Sequence, residues 1–188
     1  MPWNTKVKLI TIFCNIFELA GVIIVLSMAF AFQIILHELP CPLCLLQRVG
    51  FFLIAIGFLM NLHFGFRLYH YAMTILGALF TAFVALRQIS LHVIPGTGFY
   101  GSPFLGYRLY TWSFIISTII IFFTTILFCI NQQYLATNKD KKILKTYITP
   151  LTHALFSVFV VVLFLNIITV FLECGFGSCP SNPTHYLF

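Results

Sequence analysis

Five apolar runs divide this sequence, each long enough to cross the hydrocarbon core of a bilayer. Such a crossing takes about 20 mainly apolar residues in a helix. The runs cover approximately residues 9–36, 45–62, 71–94, 110–130 and 148–172. Only 7% of the residues are charged, against about 25% in a soluble domain. Water cannot solvate an ordinary globular surface built from such a chain, so its main solvent is lipid. The expected fold is an all-α integral membrane bundle of about five transmembrane helices. One membrane domain spans 1–188, and no internal repeat or low-complexity tract divides it. The first run is not followed by a small-residue cleavage site and reads as a retained helix.

The net charge of +6 does not point to nucleic acid. The basic residues sit in short connectors, where they set topology and meet anionic head groups. Lys6 and Lys8 precede the first run, and Arg67 lies between the second and third. Lys139, Lys141, Lys142 and Lys145 lie between the fourth and fifth. The positive-inside rule therefore puts the N-terminus in the cytoplasm. Five crossings put the tail, 173–188, in the periplasm.

That topology sorts the cysteines. Cys41 and Cys44 fall in the turn between the first two helices, on the outer face. Cys174 and Cys179 fall just beyond the fifth helix, on the same face. Cys14 and Cys129 lie near the inner ends and read as inert apolar residues. Disulfides persist in the periplasm and rarely in the cytosol, so the two outer pairs are the candidates for thiol–disulfide chemistry.

The first pair lies in Pro40-Cys41-Pro42-Leu43-Cys44, with Arg48 one helical turn further on. The prolines break one helix from the next, and Pro42 suits the first turn of the second. Cys44 then sits among unsatisfied N–H groups at the positive end of a helix, which favours a thiolate. Arg48 is on the same face. An arginine at that depth needs an anionic or polar partner, and a thiolate or a ligand oxygen would serve. A structural cysteine pair with a snorkelling arginine is the plain alternative.

The second pair closes Cys174-Gly175-Phe176-Gly177-Ser178-Cys179. Its glycines let the backbone fold back, and a disulfide there is sterically reasonable. It reads either as an exchangeable bond or as a permanent clip on the tail. Near the outer end of the third helix stand Arg87, Gln88 and His92. Intramembrane ionisable groups face the bundle interior by default, and His92 could exchange a proton. The loop from 95 to 108 is rich in Gly and Pro and reads as surface turns. Tyr107, Tyr110 and Trp112 suit an aromatic belt. Glu18, in the first helix, reads as a structural interhelix partner.

Pro40-Cys41-Pro42-Leu43-Cys44 followed by Arg48 resembles the DsbB family of disulfide-bond formation proteins. The segment 98–112 (GFYGSPFLGYRLYTW) and the tail from Cys174 to Cys179 and Pro180 resemble a branch of that family. The resemblance implies a four-helix DsbB-like core plus one helix in the bacterial inner membrane. It implies a protein-disulfide:quinone oxidoreductase that reoxidises a periplasmic DsbA-like thioredoxin-fold protein and passes electrons to ubiquinone or menaquinone. Cys41, Cys44, Cys174 and Cys179 would be the redox residues. Cys44 would face the quinone and Arg48 would help bind it, with His92 and Arg87 as further candidates beside it. The chain departs from the family pattern in one respect. The loop between the third and fourth helices carries no cysteine, so the tail pair is the candidate replacement. No metal is expected on this reading. A non-enzymatic protein, with a four-cysteine metal centre or purely structural disulfides, is the alternative.

Overall fold

The computed structural model describes residues 3–93, 100–134, 149–177, 179 and 186. The Lys139 to Lys145 charge cluster, part of the Gly/Pro-rich loop and most of the tail lie outside the described residues. Each apolar run carries one long helix: α1 Trp3–Ile35, α2 Pro42–Phe64, α3 Leu68–His92, α4 Leu109–Phe128 and α5 Thr149–Cys174. All five are long and apolar enough to cross a membrane. Helices satisfy every interior backbone group within themselves, which hydrocarbon demands. With 33 residues, α1 is about 50 Å long and overreaches a hydrocarbon core of about 30 Å. It starts six residues before its apolar run because Lys6 and Lys8 continue the helix.

Each of α1 to α4 packs against the next, and α5 lies against α1 and α2. The core between them is filled by Leu19, Val22 and Leu26 of α1, Ile54, Ala55 and Phe58 of α2, and Tyr71 and Ala78 of α3. The α2–α3 contact is the closest. A Cβ on Gly57 would stand 2.9 Å from the His70 carbonyl oxygen and 3.0 Å from the Thr74 amide nitrogen. Gly50 and Gly77 face each other in the same way. Small residues let membrane helices approach until their backbones nearly touch.

Polar side chains concentrate at the two ends. At the end holding the start of α1, Asn61 donates to Asn15 at 3.2 Å and Asn15 donates to the Tyr71 hydroxyl at 2.9 Å. Tyr71 donates to Gln133 at 2.9 Å. This chain of bonds ties α1, α2 and α3 to the short 3-10 turn Asn131–Tyr134. Glu18 is half-buried in α1 and, among the described residues, makes no hydrogen bond to another helix. The expectation that it serves as an interhelix hydrogen-bond partner is therefore corrected.

The opposite end holds the α1–α2 turn. There the described part of the Gly/Pro-rich loop forms more than turns. Strands β1 Pro103–Phe104 and β2 Tyr107–Arg108 pair antiparallel. Leu105 and Gly106 between them both have positive φ, 49° and 85°. Two positive values are what a two-residue hairpin of type I′ requires. Glu38 holds the loop down by accepting from the Ser102 backbone N–H at 3.0 Å and from the Ser102 hydroxyl. Tyr100 donates to the Leu39 carbonyl.

Candidate functional site

Pro42 opens α2, and Cys41 is its N-cap. The Cys44 backbone N–H donates to the Cys41 sulfur at 3.2 Å. One of the orphan amides of the helix start is thereby spent on a sulfur. The same turn brings the two sulfurs to 2.6 Å from each other. A disulfide needs about 2.05 Å, so bond formation moves each sulfur by only about 0.3 Å. Cys41 is buried and Cys44 half-buried. The hydrogen bond with Cys44, and then burial, push the Cys41 thiol well above the ordinary thiol range.

A residue of α3 reaches both sulfurs. Gln88, 1% exposed, points its Nε2 at Cys41 at 3.3 Å and at Cys44 at 3.4 Å. Its carbonyl oxygen accepts from Gln47 of α2 at 2.6 Å. That bond fixes which way round the Gln88 amide stands, with Nε2 the nearer atom to both sulfurs, while the Cys44 thiol can also donate to the Gln88 oxygen at 3.8 Å. The N–H donors of Nε2 stabilise a thiolate more than a thiol.

Arg48, 8% exposed, ties three helices together. Its guanidinium donates to Gln33 at 2.7 Å and to the Ala29 carbonyl at 3.0 Å, both on α1, and to Asn166 of α5 at 3.0 Å. All three acceptors are neutral. Three of the five N–H donors of an arginine are thus used among the described residues, which leaves two. A cleft opens beside it, with apolar walls from Leu26, Phe32, Leu39, Phe51 and Leu109. Cys44, Gln47, Arg48, Tyr100 and Tyr110 also line it. Burial raises the Tyr100 hydroxyl well above the usual phenol range, so it stays a neutral donor.

The remaining candidates fall in different places. His92 is half-buried at the end of α3, its ring stacked on Tyr110 at 5.5 Å between centroids. It meets a residue of the cleft wall. Arg87 is exposed, so the expectation that it faces the bundle interior is corrected. Successive residues point about 100° apart on a helix, and on this helix Gln88 takes the inward direction. Cys174 and Cys179 are joined in a disulfide. Gly175, at φ 57°, makes the left-handed turn that ends α5, its N–H donating to the Phe171 carbonyl at 2.8 Å. Cys174 is buried and Cys179 half-buried. This disulfide stands at the same end of the bundle as Cys41 and Cys44. Among the described residues no three His, Cys, Asp or Glu side chains converge as metal ligands would.

The sequence assigns no role to five polar residues of this site, Gln33, Gln47, Gln88, Tyr100 and Asn166, and of them it singles out only Gln88. Glutamine and asparagine in membrane helices are costly unless bonded, and that cost is the one clue by which four of them stand out from their apolar neighbours.

No curated protein and no solved structure matches the chain. The family model described as disulfide bond formation protein DsbB matches residues 12–100. That stretch, just under half of the chain, holds Cys41, Cys44, Arg48 and Gln88, and over it the chain is similar to the DsbB family.

Proposed function

We propose that the protein is a membrane thiol oxidase that draws electrons from a periplasmic thioredoxin-fold dithiol protein and passes them through Cys41 and Cys44 to a quinone. The observation that carries this reading is the Cys41–Cys44 pair, 2.6 Å apart, with Cys44 on the wall of an apolar cleft beside Arg48. The cleft side chains fit a quinone head group. Their walls suit a flat apolar ring, and two unused Arg48 donors suit a carbonyl oxygen. A bound quinone supplies a two-electron, two-proton acceptor.

The residues of the chain divide the work. A partner thiolate attacks the Cys174–Cys179 bond, and Cys179 is the more accessible sulfur. The partner leaves as a disulfide and the tail as a dithiol. The tail dithiol then reduces Cys41–Cys44 by the same exchange, two electrons at each step. Gln88 N–H groups and the α2 helix start hold negative charge on Cys44. Cys41 is the resolving thiol that restores the disulfide as Cys44 gives up its electrons. The N-terminus lies in the cytoplasm on this reading, so both pairs face the oxidising compartment.

Turnover with a dithiol thioredoxin-fold protein tests the route. Cys41→Ala and Cys44→Ala are expected to abolish oxidation of the partner, and Cys174→Ala and Cys179→Ala likewise. Normal turnover of the tail variants would remove the relay and leave the tail bond as a structural clip.

A further inference from the structure

The fifth helix brings one polar stripe to the site. Asn166, Thr169 and Glu173 are its buried polar residues. Spaced by three and four, they share one face of α5, in a helix whose other sides are mostly exposed and apolar. Asn166 reaches Arg48. Glu173 stands two turns further toward the Cys end, 0% exposed. Among the described residues neither of its carboxyl oxygens has a hydrogen-bond partner. The charge of Arg48 is felt at Glu173 and also at Cys44. Among these groups Arg48 is therefore the one cation that serves two acidic groups, one on α2 and one on α5. Of the other groups near Glu173, Tyr100 comes from the outer loop. Tyr186, from the tail, shares the field of Arg48, as does Cys41. α1 lends Arg48 only neutral acceptors, Gln33 and the Ala29 carbonyl.

Resting on the thiol-oxidase reading above, we propose that Glu173 is a positioning residue that acts through Arg48, trading a proton with Cys44. When Cys44 ionises, its proton goes to the Glu173 carboxylate: thiol plus carboxylate become thiolate plus carboxylic acid, with no net change of charge. When the thiolate is consumed in forming the Cys41–Cys44 disulfide, Glu173 releases the proton and again balances Arg48. An isolated buried carboxylate is costly, and so is an isolated buried thiolate. One shared arginine lets the site hold a single negative charge and move it between the two. The unbonded state of both carboxyl oxygens fits this, because a fixed hydrogen bond would favour one protonation state permanently.

The test uses full-length protein in detergent, free of added quinone, in a Cys41→Ser background with the tail disulfide intact. Iodoacetamide labelling of Cys44 is followed against pH by mass spectrometry of its peptide. In Glu173→Gln, which keeps the shape and removes the charge, the Cys44 ionisation midpoint is expected to move to lower pH. Removing a buried like charge from a neighbouring acid lowers the remaining midpoint by on the order of one unit. Glu173→Asp keeps the charge and is expected to return the midpoint toward that of the background protein. An unmoved or alkaline-shifted midpoint in Glu173→Gln, with Cys44 still titrating, overturns the role of Glu173 alone. A Cys44 that shows no titration in the background protein overturns the thiol-oxidase reading beneath it.

Discussion

Replacing Gln88 by leucine separates its action on the sulfurs from its role in packing. Leucine nearly fills the same volume and removes one amide. Two consequences follow from the contacts of that amide. First, Nε2 donates at 3.3 Å to Cys41 and at 3.4 Å to Cys44. A hydrogen bond to a charged acceptor contributes about 1.5–3 kcal/mol. Because this N–H group is divided between two sulfurs, the lower figure applies to Cys44, and about 1.5 kcal/mol corresponds to about one pH unit. The Cys44 ionisation midpoint should rise by about that amount. Well below the midpoint the thiolate population, and with it the alkylation rate, should fall about tenfold. Second, Gln47, which donates to the Gln88 oxygen at 2.6 Å, is left buried without its acceptor. That costs about 1–3 kcal/mol of stability, visible as a lower thermal midpoint in detergent. Gln88→Glu keeps the acceptor for Gln47 but puts a carboxylate at the sulfurs, so it should spare stability while suppressing Cys44 reactivity further. A Gln88→Leu protein that melts early but labels at the wild-type rate would refute the claim that this amide tunes the thiols.

Three further outcomes are expected. Gly57→Val drives a side chain into the His70 carbonyl and Thr74 amide of α3, which are backbone and cannot step aside; overpacking of this kind costs about 1–3 kcal/mol or more, read as reduced yield of folded protein and a lower melting temperature. Tyr71→Phe removes the hydroxyl that joins Asn15 to Gln133 and is expected to cost about 1–3 kcal/mol without changing Cys44 labelling, since the network stands at the other end of the bundle. In the reduced protein, a rising pH series of alkylation should label Cys44 before Cys41, because Cys41 is buried and its thiol is held up by its hydrogen bond with Cys44.

Much of the bundle was legible in the sequence because hydropathy reads length and depth directly. Each of the five runs is a helix, and the prolines around Cys41 mark the α1–α2 break. Direction around a helix axis is less legible. Arg87 and Gln88 are neighbours in a run apolar on both sides, and nothing in its period says which of the two turns inward. Default burial of the charge favours Arg87, yet the close α2–α3 contact set by Gly50, Gly57 and Gly77 rotates α3 so that Gln88 meets the sulfurs. The hairpin of residues 103–108 was illegible for a different reason: two-residue strands are too short for an alternating pattern. Asn166 and Glu173 lie more than a hundred residues from Arg48, and only the docking of α5 on α1 and α2 brings them to it.

The central claim is that Cys44 hands two electrons from the Cys41–Cys44 dithiol to a quinone. A single-turnover measurement tests it most directly: the reduced protein, with Cys174 and Cys179 replaced by alanine, is mixed anaerobically with ubiquinone-1, and quinone loss and free thiols are counted together. One ubiquinone should be consumed per protein as the Cys41 and Cys44 thiols disappear, and Cys44→Ala should consume none. Thiols that persist beside unreacted quinone, or equal consumption by Cys44→Ala, would contradict the account.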